Sequence, residues 1–560
     1  MYIKTIKCWL FLNLCNLVYP ASIYQGKAFW YEEAARALRQ RLKALPDTSQ
    51  ARPKARGVVL LVGDGLGVTT STAARIFKGQ RQGQQGEESI LAWDRLPAVA
   101  LAKTYNLDAQ IGESSACATA LMCGVKANFE TLGLDAGGLF EDCFSVFNSK
   151  IDCLLSWAQK EGMSTGLVTS TRVTHATPAA LFAHSPSRYW EDDSKVPPAA
   201  RKLCKDITRQ LVEDEPGKNL NVVMGGGRRH WLPRAARDPE TLTEEGRRLD
   251  GRNLIDEWIR DKRKKGLKAD YVWNKGQMDA VDAASTDHLL GLFSYSHMEF
   301  EADRELGPSG DPSLVEMVIK ALSILLRNPQ GFFLFVESGR IDHAHHYNNP
   351  YRALEETLML DAALLAVLSM IDQSQTLIVV TSDHSHVMTL GGISTPRGNP
   401  ILGTDSRMSD MDGLPYSTLL YSNGPGYSSP RSVPGNGTGD SQNAVHSSGV
   451  PRQWATHGGE DVPVYAQGPM ALQLFSGTVD QSYIPHAIAY AACLGPYTAR
   501  CTGRHLDPDN SSCLPDNGKG TRVLASSVMS DDRNSHHLAN CGYSHRYSVL
   551  CILAAVVLQT

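Results

Sequence analysis

The segment that most constrains the fold of this chain is an apolar run that leads directly into acidic and histidine residues. The run, Gly331–Val336, is typical of a strand buried on both faces of a parallel sheet. The next ten residues, Glu337–His346, include two carboxylates and three imidazoles, which hold zinc or similar divalent ions when they converge. A helix after Gly339 would place Asp342 and His346 on one face. A histidine-rich surface loop is the alternative for this segment alone.

Two further apolar strands end in the same way. Gly57–Gly63 is followed by Asp64, and Thr376–Thr381 is followed closely by Asp383 and His384. Residues just past the carboxyl ends of the strands of an open α/β sheet face one crevice, so the acids that end these strands should meet there. Three carboxylates would repel one another unless cations neutralised them. We therefore predict a bound-metal site, although each acid taken alone could cap a helix.

The order of segments predicts the fold class. Apolar strands alternate with helix-like segments along the chain, which indicates an α/β fold with a large, mostly parallel central sheet flanked by helices. The chain has 560 residues, ample length for such a core. Its net charge of −4 gives no electrostatic reason to expect a nucleic-acid partner. A helix is expected at about 29–45, and a Gly-, Ser- and Pro-rich stretch at about 422–450 predicts an exposed insertion.

Both ends of the chain resemble processing signals. Residues 1–22 combine lysines with an apolar run, which is typical of a secretory signal peptide. A polar segment at 501–547 precedes an apolar tail at 548–560, which is typical of the removed signal for a GPI lipid anchor. A buried terminal strand is the alternative for that tail. We expect the mature chain on the outer face of the cell membrane.

This location is an oxidising compartment, where cysteines pair. Of twelve cysteines, Cys8, Cys15 and Cys551 lie in the end segments, which leaves nine, so at least one thiol should stay free. Asn436 and Asn510 fit the glycan acceptor pattern.

A segment of small residues, Gly112–Gly124, supplies a candidate nucleophile. A helix that begins near Ser114 would place the serine hydroxyl where free backbone N–H groups favour an anion. A plain N-cap serine is the alternative.

Four separated motifs together resemble those of the alkaline phosphatase family, of the animal extracellular type. They are Gly63–Gly65, Glu337–His343, Thr381–His386 and Thr456–Asp461. The resemblance covers roughly residues 30 to 500 and implies a catalytic domain at 23–500 with a small crown-like insertion at about 393–456. It also implies a homodimer clasped by the N-terminal helix, and hydrolysis of small phosphate monoesters through a phosphoserine, with two zinc ions, one magnesium ion and a further calcium ion.

The resemblance assigns roles to individual residues of this chain. Ser114 matches the nucleophile, which also contacts metal, and Arg188 and His175 match substrate-binding residues. The zinc ligands would be Asp342, His346 and His457 at one site and Asp64, Asp383 and His384 at the other. The magnesium site would share Asp64 and add Glu337 and Thr177, and calcium would take Glu240, the Phe293 carbonyl and Asp311. The implied disulfides are Cys143 with Cys204 and Cys493 with Cys501.

Three positions depart from the family pattern. Glu113 precedes the nucleophile where the family usually has aspartate, and its extra methylene is expected to misplace Arg188 and lower turnover. Ser294 stands where a calcium ligand is normally acidic. Trp454, three residues before His457, replaces an acid that mammalian relatives often have, so preferences at the rim of the site should differ.

Two other functions are alternatives to a phosphomonoesterase. A sulfatase or phosphodiesterase of the same superfamily would lack the full third metal site, and the residues after Ser114 do not match a sulfatase motif. A surface binding protein that kept the fold without activity would be expected to lack metal ligands. Glu113 is the residue that best supports that last alternative.

Overall fold

Parallel apolar strands form the centre of the molecule. The computed structural model describes residues 25–43, 53–432 and 441–501. The strands are β1 Gly57–Gly63, β2 Ala98–Lys103, β3 Ser164–Arg172, β4 Val222–Gly226, β5 Ala269–Val272, β6 His288–Leu292, β7 Phe332–Ser338, β8 Thr376–Thr381, β9 Ser385–His386, β10 Met388–Leu390, β11 Leu419–Gly424, β12 Ser448–Pro451, β13 His457–Gly458, β14 Val462–Gln467 and β15 Gly477–Asp480.

The helices pack on the sheet, and along the chain they alternate with its strands. They are α1 Lys27–Lys43, α2 Val68–Arg81, α3 Ser114–Cys123, α4 Leu154–Lys160, α5 Ala176–Ala179, α6 Ile207–Glu213, α7 Leu254–Lys264, α8 Lys275–Ala280, α9 Leu314–Leu325, α10 Arg340–His346, α11 Pro350–Met370, α12 Ala471–Leu474 and α13 Tyr483–Ala492. Short 3-10 helices occupy Ala92–Arg95, Cys143–Asn148, Gly217–Asn219, Arg228–His230 and Gly495–Cys501.

Ten of the strands form one sheet in the order β15-β2-β14-β8-β1-β7-β3-β4-β6-β5. Strand β1 pairs in parallel with both β7 and β8, and only β14 runs antiparallel to its neighbours. Val58 and Leu60 of β1 belong to the core on one face of the sheet, and Val59 and Leu61 to the core on the other. Because both faces are covered, the central strands are apolar throughout. The predicted fold class is confirmed.

A second, small sheet joins β10, which precedes the crown-like insertion expected at about 393–456, to β11 and β12, which lie within it. Strand β11 pairs antiparallel with β10 and parallel with β12. The stretch 422–450 is therefore not an exposed insertion throughout: its ends are strands, and His446 is buried with Nδ1 donating to the Leu419 carbonyl at 3.0 Å. The composition wrongly indicated an exposed insertion because a short sheet needs few large apolar residues.

Three disulfides cross-link the described residues. Cys143 pairs with Cys204 and Cys493 with Cys501, the pairs that the family resemblance implies. A further disulfide joins Cys123 at the end of α3 to Cys153 at the start of α4, which the sequence did not reveal. Cys117 is buried with a free thiol.

Several sequence predictions fall on residues outside the described ranges. They are the signal peptide at 1–22, the glycan acceptors Asn436 and Asn510, and the C-terminal segments at 501–547, beyond Cys501, and 548–560. Helix α1 begins two residues before the predicted start, and its expected last residues, 44 and 45, also lie outside. Within the described ranges, no helix combines the length and apolar character needed to cross a membrane.

The Cys123–Cys153 disulfide closes a loop with a sequence separation of 30 residues, so it restricts the unfolded chain. We expect the double variant Cys123→Ala/Cys153→Ala to lose about 3–4 kcal/mol of unfolding free energy. Urea unfolding followed by circular dichroism measures this loss. The control is Cys117→Ala, which removes a buried thiol without removing a cross-link. Equal losses in the two variants would contradict a stabilising role for the disulfide.

Candidate active site

The carboxyl edge of the sheet gathers the acids that the sequence singled out. Asp64 follows β1, and Glu337 lies near the end of β7, where it is in register with Val62 of β1. Asp383 lies two residues past β8, the other neighbour of β1. Because these strands are adjacent and parallel, their ends bring the carboxylates together. All three side chains are completely buried.

Gly65 allows the helix that carries Asp342 to approach the turn after β1. Its φ of +73° lies in the left-handed region. A Cβ at this position would lie 2.7 Å from Cδ2 of His386 and 3.1 Å from Cα of Asp342. A larger residue would therefore push α10 away from the edge of the sheet.

The first cluster contains Asp342, His346, His386 and His457, whose ligand atoms lie within 4.8 Å of one another. His346 Nε2 lies 3.2 Å from Asp342 Oδ2, and His457 Nε2 lies 3.5 Å from Asp342 Oδ1. Nδ1 of His346 donates to the Ala455 carbonyl at 2.7 Å, and Nδ1 of His457 donates to the Gly112 carbonyl at 2.9 Å. These bonds leave the Nε2 lone pairs directed into the cluster, as in metal-binding histidines.

The second cluster joins Asp64, Asp342 and His384, with Asp383 beside them. His384 Nε2 lies 3.5 Å from Asp64 Oδ1 and 3.4 Å from Asp383 Oδ2. The His384 ring stacks on His457 at a centroid distance of 3.6 Å, so the first and second clusters adjoin.

The third cluster contains Asp64, His175 and Glu337. Asp64 therefore belongs to both the second and third clusters, as the family resemblance implies for the acid that bridges two sites. Thr177, on α5, is buried. Burial raises the pKa of Glu337, and the Thr177 hydroxyl acts in the opposite direction and lowers it. The carboxylates and hydroxyl in this cluster are oxygen ligands of the type that magnesium prefers.

The electrostatics of the buried acids and imidazoles favour cation binding. Burial, together with Asp383, raises the pKa of Asp64 well above its usual range. Burial and the Asp342 carboxylate raise the pKa of Asp383 to about 6. Both Asp64 oxygens and Oδ2 of Asp383 are buried without a hydrogen-bond donor among the described residues. Burial also lowers the pKa of His384 to about 4 and that of His457 to about 3, so these imidazoles are neutral and can act as ligands.

Ser114 is the first residue of α3, and the N-cap is Glu113. The alternative of a plain N-cap serine is therefore wrong. Ser114 Oγ lies 3.3 Å from His384 Nε2, which places the hydroxyl at the second cluster. The Glu113 carboxylate accepts from the backbone N–H groups of Ser115 at 2.9 Å and Ala116 at 2.8 Å.

Arg188 is held from two sides, by Glu113 and by His175. Its Nη1 donates to Glu113 Oε2 at 2.8 Å, and its Nη2 donates to His175 Nε2 at 3.1 Å. Arg188 forms an ion pair with the longer Glu113 side chain. The expected effect of that side chain on the placement of Arg188 and on turnover stays a prediction. Burial opposes the charge on Glu113, but Arg188 and the hydrogen bonds lower its pKa, so the carboxylate stays ionised.

The sequence reasoning missed two groups of histidines. His386 was left out of the ligand set, yet its Nε2 lies 2.5 Å from Asp342 Oδ1, and β9 places it opposite His457 of β13. Its position two residues after His384 was the available signal. His297 and His343 lie with His175 in a fourth cluster.

The fourth cluster is surrounded by guanidinium groups. Arg188 donates to His175, Arg172 to His297, and Arg340 to His343 at 3.1 Å. In a neutral imidazole the nitrogen that accepts such a bond has its lone pair engaged and the other nitrogen carries the proton, so these rings offer no spare lone pair to a cation. This arrangement does not suit a cation. No sequence motif pointed to His297.

The expected calcium ligands are engaged with protein groups instead. Asp311 Oδ2 accepts from Ser294 Oγ at 2.5 Å, and Glu240 accepts from Arg228. Within the described ranges, neither acid belongs to a metal-capable cluster. Calcium takes six to eight oxygen ligands, and a guanidinium beside Glu240 opposes a cation. These positions, with the Phe293 carbonyl, do not fit a calcium ion.

A serine hydroxyl, a fixed arginine and adjoining metal-capable clusters suit metal-dependent phosphoryl transfer. The sequence profile of the alkaline phosphatase family matches residues 55–494. The chain is 44% identical over 524 residues to the tissue-nonspecific alkaline phosphatase isozyme of Gallus gallus, which covers 91% of this chain and 98% of that protein. It is 45% identical to the alkaline phosphatase of Gadus morhua over 83% of this chain and 97% of that protein. The chain therefore belongs to the alkaline phosphatase family, and it is an enzyme that hydrolyses phosphate monoesters.

Solved structures of alkaline phosphatases have the same fold as this chain. The alkaline phosphatase of Thermus thermophilus superposes with a TM-score of 0.56 at 24% identity, covering 80% of this chain and 96% of that one. The alkaline phosphatase of the Antarctic bacterium TAB5 gives a TM-score of 0.55 at 19% identity, covering 79% and 99%.

The raised carboxyl pKa values predict how metal and pH act together on stability. A carboxyl whose pKa is raised on folding stabilises the fold while protonated, and this contribution is lost as pH rises through the folded pKa. For Asp383 the loss falls between its unfolded pKa of about 4 and its folded pKa of about 6. Bound cations neutralise the carboxylates that ionise as pH rises. We therefore expect metal to raise the unfolding temperature by several degrees more at pH ~8 than at pH ~5.

Differential scanning calorimetry of chelated and zinc- and magnesium-loaded protein measures this difference. Asp383→Asn should reduce the pH dependence of the metal effect, whereas Asp279→Asn, at an exposed acid, should leave it as in the wild type. A metal effect of constant size across this pH range would show that repulsion among buried carboxylates does not control it.

Proposed function

We propose that this enzyme forms a phosphoserine on Ser114, with zinc at the first and second clusters and magnesium at the third. The proximity of Ser114 Oγ to His384 Nε2, 3.3 Å, is the observation that carries this proposal. This contact supports the proposal because it joins the Ser114 hydroxyl to a set of residues of the type that binds zinc.

The residue types support the assignment of the metals. Asp342, His346 and His457 form one Asp/His set, and Asp64, Asp383 and His384 form the other, which suits zinc. The Asp64 and Glu337 carboxylates of the third cluster, with the buried Thr177 hydroxyl as a further oxygen ligand, suit magnesium. Bound cations would supply charge neutralisation for the entering and leaving oxygens of phosphoryl transfer.

The chain's own residues bind and orient the phosphate. Arg188 can hold two phosphate oxygens with its planar fork, and its ion pair with Glu113 fixes the direction of that fork. The N–H groups of Ser115 and Ala116 at the start of α3 bond the Glu113 carboxylate, so they fix that carboxylate and are not free to bind the phosphate. In-line attack by Ser114 Oγ forms a bond to phosphorus as the bond to the ester oxygen breaks. Water then breaks the phosphoserine bond and releases phosphate.

Several further properties belong to the proposal on the strength of the sequence and its kinship. We propose a catalytic domain at 23–500, a homodimer that involves α1, and attachment of the mature chain to the outer face of the cell membrane through a GPI lipid anchor. Glycans on Asn436 and Asn510 are consistent with that location. Calcium is left out, because Ser294 and Arg228 engage the acids expected to bind it.

Replacing the nucleophile gives the most direct test. We expect Ser114→Ala to lower kcat by at least about a thousandfold, because the covalent step needs its hydroxyl. Phosphate should still bind, since Arg188 and the clusters remain. Initial rates with a chromogenic phosphate ester, and mass spectrometry of acid-quenched wild-type enzyme, measure turnover and the phosphoserine.

The matched control is Ser115→Ala, which removes the neighbouring hydroxyl. Ser115 Oγ donates to Glu113 Oε1 at 2.5 Å, so this variant should lose only about tenfold through looser fixing of Arg188. If Ser114→Ala kept most of its turnover, or if the phosphate were found on Ser115, the assignment of the nucleophile would be wrong.

A further inference from the structure

The fourth cluster contains hydrogen-bond donors that have no acceptor. Each of its three imidazoles accepts from a guanidinium, a group that can only donate, so the other nitrogen of each ring carries a proton. Among the described residues, Nδ1 of His175 and Nδ1 of His297 are buried without a hydrogen-bond partner, as is Nε of Arg340. An unsatisfied buried donor costs about 1–3 kcal/mol. These N–H groups therefore favour an acceptor from outside the protein.

The spacing of the three imidazoles fits a shared acceptor atom. One ring nitrogen of each residue lies within 4.8 Å of those of the other two. The ring centroids of His297 and His343 are 4.3 Å apart, and that of His175 lies 5.1 Å and 5.5 Å from them. Two N–H donors that each lie about 2.9 Å from one acceptor are at most about 5.8 Å apart. An acceptor atom between the rings is therefore within reach of all three.

The surroundings of the cluster carry more positive than negative charge. Arg172 and Arg188 each form an ion pair with a buried acid. Arg340 forms no ion pair within the part of the chain that the structure describes. Burial and the charge of Arg172 lower the pKa of Arg229 to about 10, so these guanidiniums lie close enough to repel each other. An anion placed here is attracted by the charges that the acids do not balance.

We propose that the fourth cluster binds an oxyanion in addition to the phosphate that Arg188 holds at Ser114. The oxygens of a phosphate group accept the free N–H groups of the cluster in charge-assisted hydrogen bonds. His297 and His343 are partly exposed, so the site is open to solution. Free inorganic phosphate and a second phosphate group on the substrate offer the same oxygens. Asp64 and Glu337 lie beside His175, so the inference rests on the proposed function at one point, the magnesium ion that would offset their charge.

Titration calorimetry of the zinc- and magnesium-loaded enzyme with inorganic phosphate tests this site. We expect two phosphates per wild-type chain, and His297→Phe, which keeps a ring but removes the N–H, should weaken the second at least about tenfold. His297→Gln retains an N–H donor and should keep most of that affinity. The control is His184→Phe, the same substitution at a partly exposed histidine whose Nδ1 donates to the Gly133 carbonyl, and it should leave both phosphates bound.

The source of the anion is identified by comparing the bisphosphate of butane-1,4-diol with butyl phosphate. If the ratio of their kcat/KM values falls about fivefold in His297→Phe, the second phosphate of the substrate occupies the site. If that ratio is unchanged while calorimetry loses the second phosphate, the ligand is free phosphate. A His297→Phe variant in which neither the stoichiometry nor the ratio changes would overturn the inference. Loss of both phosphates together would also overturn it, because the two sites would not be separate.

Metal analysis of the same samples separates this inference from the proposed function. Two phosphates per chain in protein that holds no magnesium would contradict the magnesium assignment alone. One phosphate per chain and an unchanged ratio, in protein that holds zinc and magnesium, would contradict the oxyanion site alone.

Discussion

The structure of the site depends on carboxylates that are buried together at one edge of a parallel sheet. Asp64, Glu337 and Asp383 are each fully buried, and they are brought together by three adjacent strands. Burying even one ionised carboxylate without a partner costs several kcal/mol. The sheet is stabilised by apolar packing on both faces, which holds the acids in place despite their repulsion. The scaffold therefore prepares a strongly cation-attracting site before any metal binds.

The imidazoles are supplied by segments far away in the sequence. His457 reaches the site through the short pairing of β13 with β9, and its ring is fixed by the Gly112 carbonyl, 345 residues away. His346 is fixed in the same way by Ala455. These hydrogen bonds set the tautomer of each ring as well as its place. Metal affinity is thus linked to contacts between the β9–β13 pair, α10 and the loop before α3.

The sequence predicted the parts of the site that depend on strand ends and helix spacing. Asp64, Glu337 and Asp383 follow from parallel strands, and the pairing of Asp342 with His346 follows from a helix that starts after Gly339. His386 was missed because its place in the first cluster depends on strand pairing with His457, which has no local signature. His297 was missed for a similar reason, since a loop residue is brought to His175 only by the tertiary fold. The Cys123–Cys153 disulfide likewise needs the spatial proximity of α3 and α4.

Glu113, which stands where the family usually has aspartate, joins three parts of the structure. Its longer side chain turns back over the start of α3, where it caps the helix through Ser115 and Ala116. It also accepts from the backbone N–H of Glu130 at 2.9 Å while Oε2 holds Arg188. The longer side chain still forms the ion pair with Arg188. Because the carboxylate spans the helix start, the loop at Glu130 and Arg188, the position of the guanidinium is coupled to the start of the helix that carries Ser114.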